Sequence, residues 1–226
     1  MRVIVAAAGP QTKWGGYLGV RSHFAPVRAF PDEETPVLPL LELTLTQVAF
    51  HSGDVWVTAP AEAPGPYTAA ARAHGARAHV ADPVPAGGEF ESSRPVWAAA
   101  GRTVLLLGDV YFTGEALAAI LKDDRAGIRV FGRRGPSAVT GTPWGEIFAV
   151  SWTDNARMGE LTDAVRRAQQ RGHADVPAGW LALRLLQGTP LREHTVRAPW
   201  WAEIDDGTDD IDFPADYRRH PARGIR

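Results

Sequence analysis

The residues near the amino terminus have the types and spacing of a nucleotide-binding turn. The apolar, β-branched run from Val3 to Ala8 is typical of a buried strand. It ends in Gly9, and Lys13 follows shortly after. Small residues let a phosphate or a base approach the backbone closely, and Lys13 can reach whatever the turn holds. The alternative is a tight turn between a strand and a helix with a solvated lysine, and the local sequence leaves both open.

A carboxylate follows the most apolar strand of the chain. Thr103 to Leu107 is apolar or β-branched throughout, as in a central parallel strand that is buried on both faces. Gly108 and Asp109 come directly after it. Because ligands of parallel α/β sheets lie beyond the carboxyl ends of the strands, we expect the Asp109 carboxylate to point into the same crevice as Gly9. The alternative is that Asp109 caps a neighbouring turn or helix.

A second acidic group ends a later apolar segment. It contains Glu203, Asp205 and Asp206. Asp205 is the candidate of this group because Ile204, just before it, should anchor the strand. The acidic residues that follow it are interpreted as a solvated turn: Asp209, Asp210 and Asp212.

Two carboxylates beside a triphosphate would repel it and each other. Two unit charges about 4 Å apart at an effective dielectric constant near 20 interact by about 4 kcal/mol. A divalent cation removes this repulsion, and Mg²⁺ typically takes one or two carboxylates together with substrate phosphates. If Asp109 and Asp205 converge, we therefore expect them to hold Mg²⁺. The seven histidines show no metal-ligand spacing.

The composition of the chain indicates which binding partners and which cellular compartment to expect. The formal charge of -2 argues against a nucleic-acid polymer as the main partner, because such proteins usually carry a basic excess. The absence of cysteine excludes disulfides and thiolate metal sites and fits a reducing compartment. The first apolar run is too short for a signal peptide, and no stretch approaches the ~20 apolar residues that span a bilayer. We expect a cytoplasmic protein without a membrane partner, and leave open whether it forms a homo-oligomer.

Strand-like and helix-like segments alternate, which predicts one layered α/β domain over residues 1–226. The long irregular stretch from Gly15 to Pro36 is typical of a loop that closes over a ligand. After the first strand, the predicted strands are Asp54–Thr58, Arg77–Val80, Thr103–Leu107, Ile128–Gly132, Glu146–Trp152 and Trp200–Asp206. The predicted helices are Val37–Phe50, Tyr67–His74, a helix capped by Ser92 or Ser93 that runs through Ala100, Glu115–Leu121 capped by Thr113, Ala156–Arg171, Val176–Leu186 and Ala215–Arg219.

Together these segments resemble the nucleotidyltransferase family with a GT-A-like fold. That family includes sugar-1-phosphate nucleotidyltransferases and molybdenum-cofactor guanylyltransferase-like proteins. Residues 6–13, A-A-A-G-P-Q-T-K, lie over the family pattern L-A-A-G-x-G-T-R, with Gln11 for its second glycine and Lys13 for its arginine. Residues 21–27 match P-K-x-L-x-P-V in spacing, with Ser22 where the lysine is expected. Residues 105–112 look like the metal-binding strand end, and residues 201–209 look like the late W-x-E-I-D-T-P-E-D segment.

The resemblance implies a three-layer αβα, Rossmann-like domain with a mostly parallel mixed sheet. It also implies transfer of a nucleoside monophosphate from an NTP to a small phosphorylated acceptor, a sugar phosphate being expected, with release of pyrophosphate. Backbone groups of Ala7, Ala8 and Gly9 would hold the base and ribose. Lys13 would neutralise the β- and γ-phosphates, and Asp109 with Asp205 would hold Mg²⁺. Further nucleotide contacts are expected from these residues: Thr12, Arg21, Ser93 and Gly108.

The departures from the family pattern leave alternatives open. Ser22 carries no charge, so one source of transition-state stabilisation would be absent unless Arg21 or Arg28 reaches the same phosphate. This indicates either an unusual acceptor or weakened catalysis, and a non-catalytic nucleotide-binding protein is the alternative from another class. A glycosyltransferase of the same fold is the other, although Asp109 lacks the second aspartate of a D-x-D motif. For the acceptor, Trp144 is a candidate for stacking and Glu146 for hydroxyl contacts.

Overall fold

The computed structural model describes residues 1–10, 12–30, 34–83 and 87–224. Its strands, in chain order, are β1 (Arg2–Ala6), β2 (Pro26–Arg28), β3 (Val37–Pro39), β4 (Val55–Pro60), β5 (Arg77–Ala81), β6 (Thr103–Leu107), β7 (Val110–Tyr111), β8 (Arg129–Arg133), β9 (Glu146–Trp152), β10 (Trp201–Glu203) and β11 (Asp209–Asp210). Its α-helices are α1 (Leu40–Ala49), α2 (Pro64–Ala73), α3 (Glu89–Ser93), α4 (Gly114–Lys122), α5 (Asn155–Ala168), α6 (Ala178–Gln187) and α7 (Pro214–Arg219).

Seven of the described strands form one mixed sheet in the order β10-β8-β9-β6-β1-β4-β5. Within it β9 runs antiparallel to both of its neighbours, whereas the other neighbouring pairs are parallel. The expected mostly parallel mixed sheet is confirmed. Two short antiparallel pairs, β2 with β3 and β7 with β11, lie outside it.

Helices cover both faces of the sheet, as side-chain alternation along β1 shows. Val3 and Val5 belong to the core packed against α1, α2 and α4. Ile4 and Ala6 belong to a second core, packed against α3, α5 and α6. Successive side chains of a strand point to opposite faces, so an apolar run such as β1 is needed where both faces are buried. The three-layer arrangement follows from this pattern.

Several element boundaries follow the sequence closely. The strands Thr103–Leu107 and Glu146–Trp152 are observed with the predicted bounds. Thr113 caps α4, because its Oγ1 accepts a hydrogen bond from the Ala116 amide at 3.0 Å. None of the described helices is both long enough and apolar enough to cross a membrane.

One predicted helix begins later than expected and another is absent, and proline is the physical reason in both. Residues 37–39 form β3 instead of the first turn of α1, which begins only after Pro39. The helix predicted to run from Ser92 or Ser93 through Ala100 is absent. Instead α3 ends at Ser93 and one turn of 3₁₀ helix, Arg94–Val96, follows. Pro95 has no amide hydrogen to continue an α-helical ladder.

Candidate active site

Asp109 lies where the two central strands end side by side. The Gly108 amide donates to the Ala6 carbonyl at 2.9 Å, which extends the pairing of β6 with β1. A Cβ at Gly108 would lie 2.7 Å from that carbonyl oxygen and 3.0 Å from His23 Cδ2. Only glycine fits this close approach, and it sets the Asp109 carboxylate beside the turn that follows β1.

The His23 side chain packs against Gly108, beside this turn. It is buried, and its Nδ1 lies 2.9 Å from the Tyr67 hydroxyl. Burial, together with the nearby Arg21 charge, lowers the pKa of His23 to about 3. The imidazole therefore stays neutral near pH 7 and fills space against Gly108.

The pairing of β7 with β11 brings two more carboxylates to Asp109. Asp210 pairs with Val110, and the Ile211 amide donates to the Asp109 carbonyl at 2.8 Å. Residues two apart on an extended chain share a side, so Asp210 and Asp212 both face Asp109. Between them Ile211 is fully buried in a core with Trp14, Tyr111 and Tyr217 and anchors the segment. One carboxylate oxygen from each of the three aspartates lies within 4.8 Å of the others.

In this carboxylate cluster (Asp109, Asp210 and Asp212), burial and neighbouring charge raise the pKa of two members. Burial, and next the charge of Asp212, raises the pKa of Asp109 well above its usual range. Burial, followed by the charges of Asp212 and Asp109, does the same to the pKa of Asp210. Oδ1 of Asp210 is buried and has no hydrogen-bond partner among the described residues. An unpartnered, buried carboxylate oxygen is costly, and these three carboxylates could together hold a metal ion.

Lys13 faces the cluster. Its ammonium pairs with the Asp212 carboxylate and lies 5.3 Å from the centre of the Phe213 ring. Partial burial by itself lowers the pKa of Lys13, but the charges of Asp212, Asp210 and Asp109 outweigh it and the net shift is upward. Lys13 therefore carries its charge at every physiological pH, next to the carboxylates.

The turn after β1 contacts Arg21 across a shallow cleft. Arg21 Nη2 donates to the Gly9 carbonyl at 2.8 Å and Nη1 to Glu62 at 3.0 Å. Its Nε is buried and has no hydrogen-bond partner in the described part of the chain. The cleft has a volume of about 300 Å³ and is lined by Pro10, Thr12, Trp14, Gly16, Val20, Arg21 and Glu62. Of the expected backbone donors, the Ala7 amide already donates to Thr58 Oγ1 at 3.0 Å.

Two expected site residues lie elsewhere. Asp205 is exposed and is not part of the carboxylate cluster; Asp210 and Asp212, rather than Asp205, meet Asp109, because β11 is the segment that pairs beside it. Ser93 is fully buried, donates to the Phe90 carbonyl at 3.0 Å and accepts from Trp97 Nε1 at 3.0 Å. Its hydroxyl is therefore occupied within the core. Gln11, which stands at the family's second glycine, lies outside the described residues.

The interpretation of residues 209–212 as a solvated turn is wrong. Asp209 is fully buried, and Asp210 and Asp212 are partly buried in the cluster. The signal was present in the sequence: Ile211 between Asp210 and Asp212 is the alternation of a strand with one buried face. Glu89 was also missed. Burial raises the pKa of Glu89, and the charge of Asp212 adds to the effect, so α3 brings another carboxyl group near the cluster.

Comparison with known proteins identifies the fold. No family model and no curated protein matches the chain. Among solved structures, a nucleotidyltransferase from Methanothermobacter has a TM-score of 0.62 at 15% identity, covering 96% of this chain and 94% of its own. A candidate glucose-1-phosphate thymidylyltransferase from Bacillus anthracis has a TM-score of 0.60 at 13% identity, covering 100% and 96%. The CTP:phosphocholine cytidylyltransferase of Streptococcus pneumoniae has a TM-score of 0.56 at 13% identity, covering 96% of both chains.

This chain has the nucleotidyltransferase fold. In the nucleotidyltransferase sequence pattern a lysine stands at the position of Ser22, which is only 1% exposed here. Arg21, one residue earlier, instead reaches the cleft. The cleft therefore has a guanidinium from the residue that precedes the pattern's lysine position, and a guanidinium differs from an ammonium in geometry.

On the other side of the cluster, Glu146 is committed to an internal network. Arg133 pairs with both Glu146 and Asp209. Burial, followed by the hydrogen bond and charge of Asp209, raises the pKa of Glu146 to about 9. Glu146 thus faces Arg133 and Asp209 rather than standing free for hydroxyl contacts. Trp144, two residues earlier, is 58% exposed.

Proposed function

We propose that this protein transfers a nucleoside monophosphate from an NTP to a phosphorylated acceptor. The observation that carries the proposal is the meeting of the carboxylate cluster with Lys13 beside the turn after β1, at the carboxyl ends of β1 and β6. Ligands of α/β sheets bind at this edge. The nucleotidyltransferase fold supports the same reaction class.

The cluster fits a hard divalent cation such as Mg²⁺. It offers three carboxylates within 4.8 Å of one another, and Asp210 Oδ1 has no hydrogen-bond partner among the described residues. Oxygen ligands of this kind suit Mg²⁺. When bound by Asp109, Asp210 and Asp212, the ion would neutralise charge on the triphosphate.

The remaining groups bind and orient the nucleotide. Lys13 would turn from Asp212 to the β- and γ-phosphates, because Asp212 would be neutralised as a ligand of the ion. Arg21 would direct its guanidinium to the phosphates from the cleft, and the Ala8–Gly9 backbone would contact the nucleoside. Catalysis of this kind rests on positioning and charge stabilisation.

The reaction needs no covalent protein intermediate. A phosphate oxygen of the acceptor attacks the α-phosphorus in line and forms the new P–O bond. The bond from the α-phosphorus to the oxygen that bridges it to the β-phosphorus breaks, and pyrophosphate leaves with the electron pair. Because the attacking oxygen is already ionised, no general base is required.

We propose a sugar phosphate as the acceptor. The Bacillus anthracis and Streptococcus pneumoniae proteins are named for glucose 1-phosphate and phosphocholine, and both compounds are phosphomonoesters. The exposed indole of Trp144, beside the start of β9, can stack on a sugar face.

A non-catalytic nucleotide-binding protein is the second candidate. The observation that favours it is the burial of Ser22, an uncharged residue, at the position of the family's lysine. The two candidate functions predict different results: a non-catalytic protein binds nucleotide but shows no turnover.

The test measures pyrophosphate release with each of the four NTPs, Mg²⁺ and a panel of sugar phosphates and other phosphomonoesters. We expect release that depends on the acceptor, and a loss of about 10²–10³-fold in Asp109→Asn and Asp212→Asn. Asp205→Asn is the matched control, since it removes an exposed carboxylate outside the cluster and should leave the rate unchanged. Nucleotide binding without release for any acceptor would favour the second candidate.

A further inference from the structure

Asp209 is a buried carboxylate whose oxygens are both fully used. Its Oδ1 accepts from Nη1 and Nη2 of Arg133, each at 3.0 Å, and from the Asp210 amide at 3.1 Å. Its Oδ2 accepts from the Ser137 hydroxyl, from the Thr140 amide at 3.2 Å and from the Thr140 hydroxyl at 2.7 Å. A carboxylate has about four lone-pair sites, so Asp209 has no capacity left for a cation.

Apart from the Asp210 amide, these donors to Asp209 come from one stretch of chain, the end of β8 and the connection that follows it. Arg133 is the last residue of β8, and Ser137 and Thr140 lie in the connection from β8 to β9. Arg133 also pairs with Glu146, the first residue of β9. The Asp209 side chain thus ties segment 133–146, which includes the exposed Trp144, to β11.

The neighbours of Asp209 are the cluster carboxylates. β11 is only two residues long and pairs with β7 through Asp209 and Asp210. Because side chains alternate, Asp209 is directed to Arg133 while Asp210 is directed to Asp109. A two-residue strand has few hydrogen bonds of its own, so the contacts of Asp209 add to the burial of Ile211 in holding Asp210 and Asp212 in place.

We infer that Asp209 is a positioning residue: it sets the geometry of the cation site at Asp109, Asp210 and Asp212 and couples that site to segment 133–146, on the side where we place the acceptor. The inference rests on the proposed function for the identity of the acceptor. The positioning role itself rests only on the contacts of Asp209 and on the unpartnered Oδ1 of Asp210.

The test measures Mn²⁺ binding to the full-length protein by electron paramagnetic resonance, without nucleotide, alongside thermal unfolding. Asp209→Asn keeps the shape of the side chain but replaces one accepting oxygen by an NH₂ group. Because both oxygens of Asp209 accept from donors, the NH₂ group faces donors in either orientation of the amide. We expect Mn²⁺ binding about 10–100-fold weaker than in the wild type, the range found for outer-shell partners of metal ligands. Thr140→Val removes one donor and keeps its backbone amide, and should weaken binding by a smaller factor. It also provides the measurement if Asp209→Asn does not fold.

The control is Asp163→Asn, which removes an exposed partner of Arg94 and should leave Mn²⁺ affinity unchanged. A merely structural role for Asp209 predicts a lower unfolding temperature with wild-type Mn²⁺ affinity in the folded protein, and that result in either variant would overturn the inference. If the wild type does not bind Mn²⁺, the cation site is wrong and the inference falls with it. A third outcome separates the two proposals. The wild type binds Mn²⁺ and the variants bind it more weakly, but no acceptor supports pyrophosphate release. In that case the proposed function fails while the positioning role stands.

Discussion

Replacing Asp210 by asparagine should make the cation-free protein more stable. Two unit charges at 4.8 Å, the upper limit of the oxygen–oxygen separations in the cluster, repel by about 3.5 kcal/mol at an effective dielectric constant near 20. Asp210 has two such neighbours, and the ammonium of Lys13 offsets only part of their repulsion. Part of the remaining repulsion is relieved by protonation, because burial and the neighbouring charges raise the pKa of Asp210. We therefore expect a gain of about 1–3 kcal/mol at pH 8 in the free energy of unfolding.

The gain should depend on pH with a definite sign. The folded pKa of Asp210 lies above its unfolded value near 4, so the folded wild type binds more protons than the unfolded chain between these two values. Its free energy of unfolding therefore falls as the pH rises through this window. Asp210→Asn removes one of the responsible groups, so its advantage over the wild type should be smaller at pH 5 than at pH 8.

The assay is thermal unfolding in EDTA at pH 5 and pH 8, where 1 kcal/mol corresponds to about 2–4 °C for a chain of this length. Asp205→Asn serves as the control and should stay within about 0.5 kcal/mol of the wild type at both pH values. Added Mg²⁺ should stabilise the wild type but not Asp210→Asn. If Asp210→Asn is less stable than the wild type at pH 8 without metal, the carboxylates do not repel one another and the electrostatic reasoning is refuted.

Three further substitutions separate structural from functional residues. Ser93→Ala should lower the free energy of unfolding by about 1–3 kcal/mol, because it leaves the buried Trp97 Nε1 without its acceptor. Turnover by the folded protein should stay unchanged, and a rise in the KM for NTP would instead place Ser93 in the nucleotide site. Gly108→Ala should lower the free energy of unfolding, measured by chemical denaturation, by about 1–3 kcal/mol and should weaken Mn²⁺ binding, because its Cβ would lie 2.7 Å from the Ala6 carbonyl oxygen. Wild-type stability and Mn²⁺ affinity in this variant would contradict the close approach of Gly108 to Ala6. Trp144→Ala should raise the KM for the acceptor without changing the unfolding temperature, since the indole is 58% exposed, and an unchanged KM would remove Trp144 from the acceptor site.

The sequence alone predicts those parts of the fold that depend on local pattern. Continuous apolar runs indicate central strands such as Thr103–Leu107, and Thr113 marks the start of α4 through its capping hydroxyl. The helix predicted to be capped by Ser92 or Ser93 and to run through Ala100 is absent, because Pro95 has no amide hydrogen to donate to the helical ladder.

Local sequence pattern predicts only some of the residues of the candidate site. Lys13 and Asp109 were expected because each follows a strand that ends at the ligand-binding edge of the sheet. Asp210 and Asp212 depend on the pairing of β11 with β7, about a hundred residues earlier in the chain, and no local pattern encodes that pairing. Alternation around Ile211 could have shown that these two carboxylates share a side, but not that the shared side faces Asp109.

The most direct measurement is a crystal structure with Mn²⁺ and a non-hydrolysable NTP, in which anomalous scattering locates the ion. We expect one peak between Asp109, Asp210 and Asp212, next to the phosphates, with Lys13 moved from Asp212 to the triphosphate. A peak at Asp205 instead, or a nucleotide bound away from the carboxyl ends of β1 and β6, would contradict the assignment of this edge as the place where nucleotidyl transfer occurs.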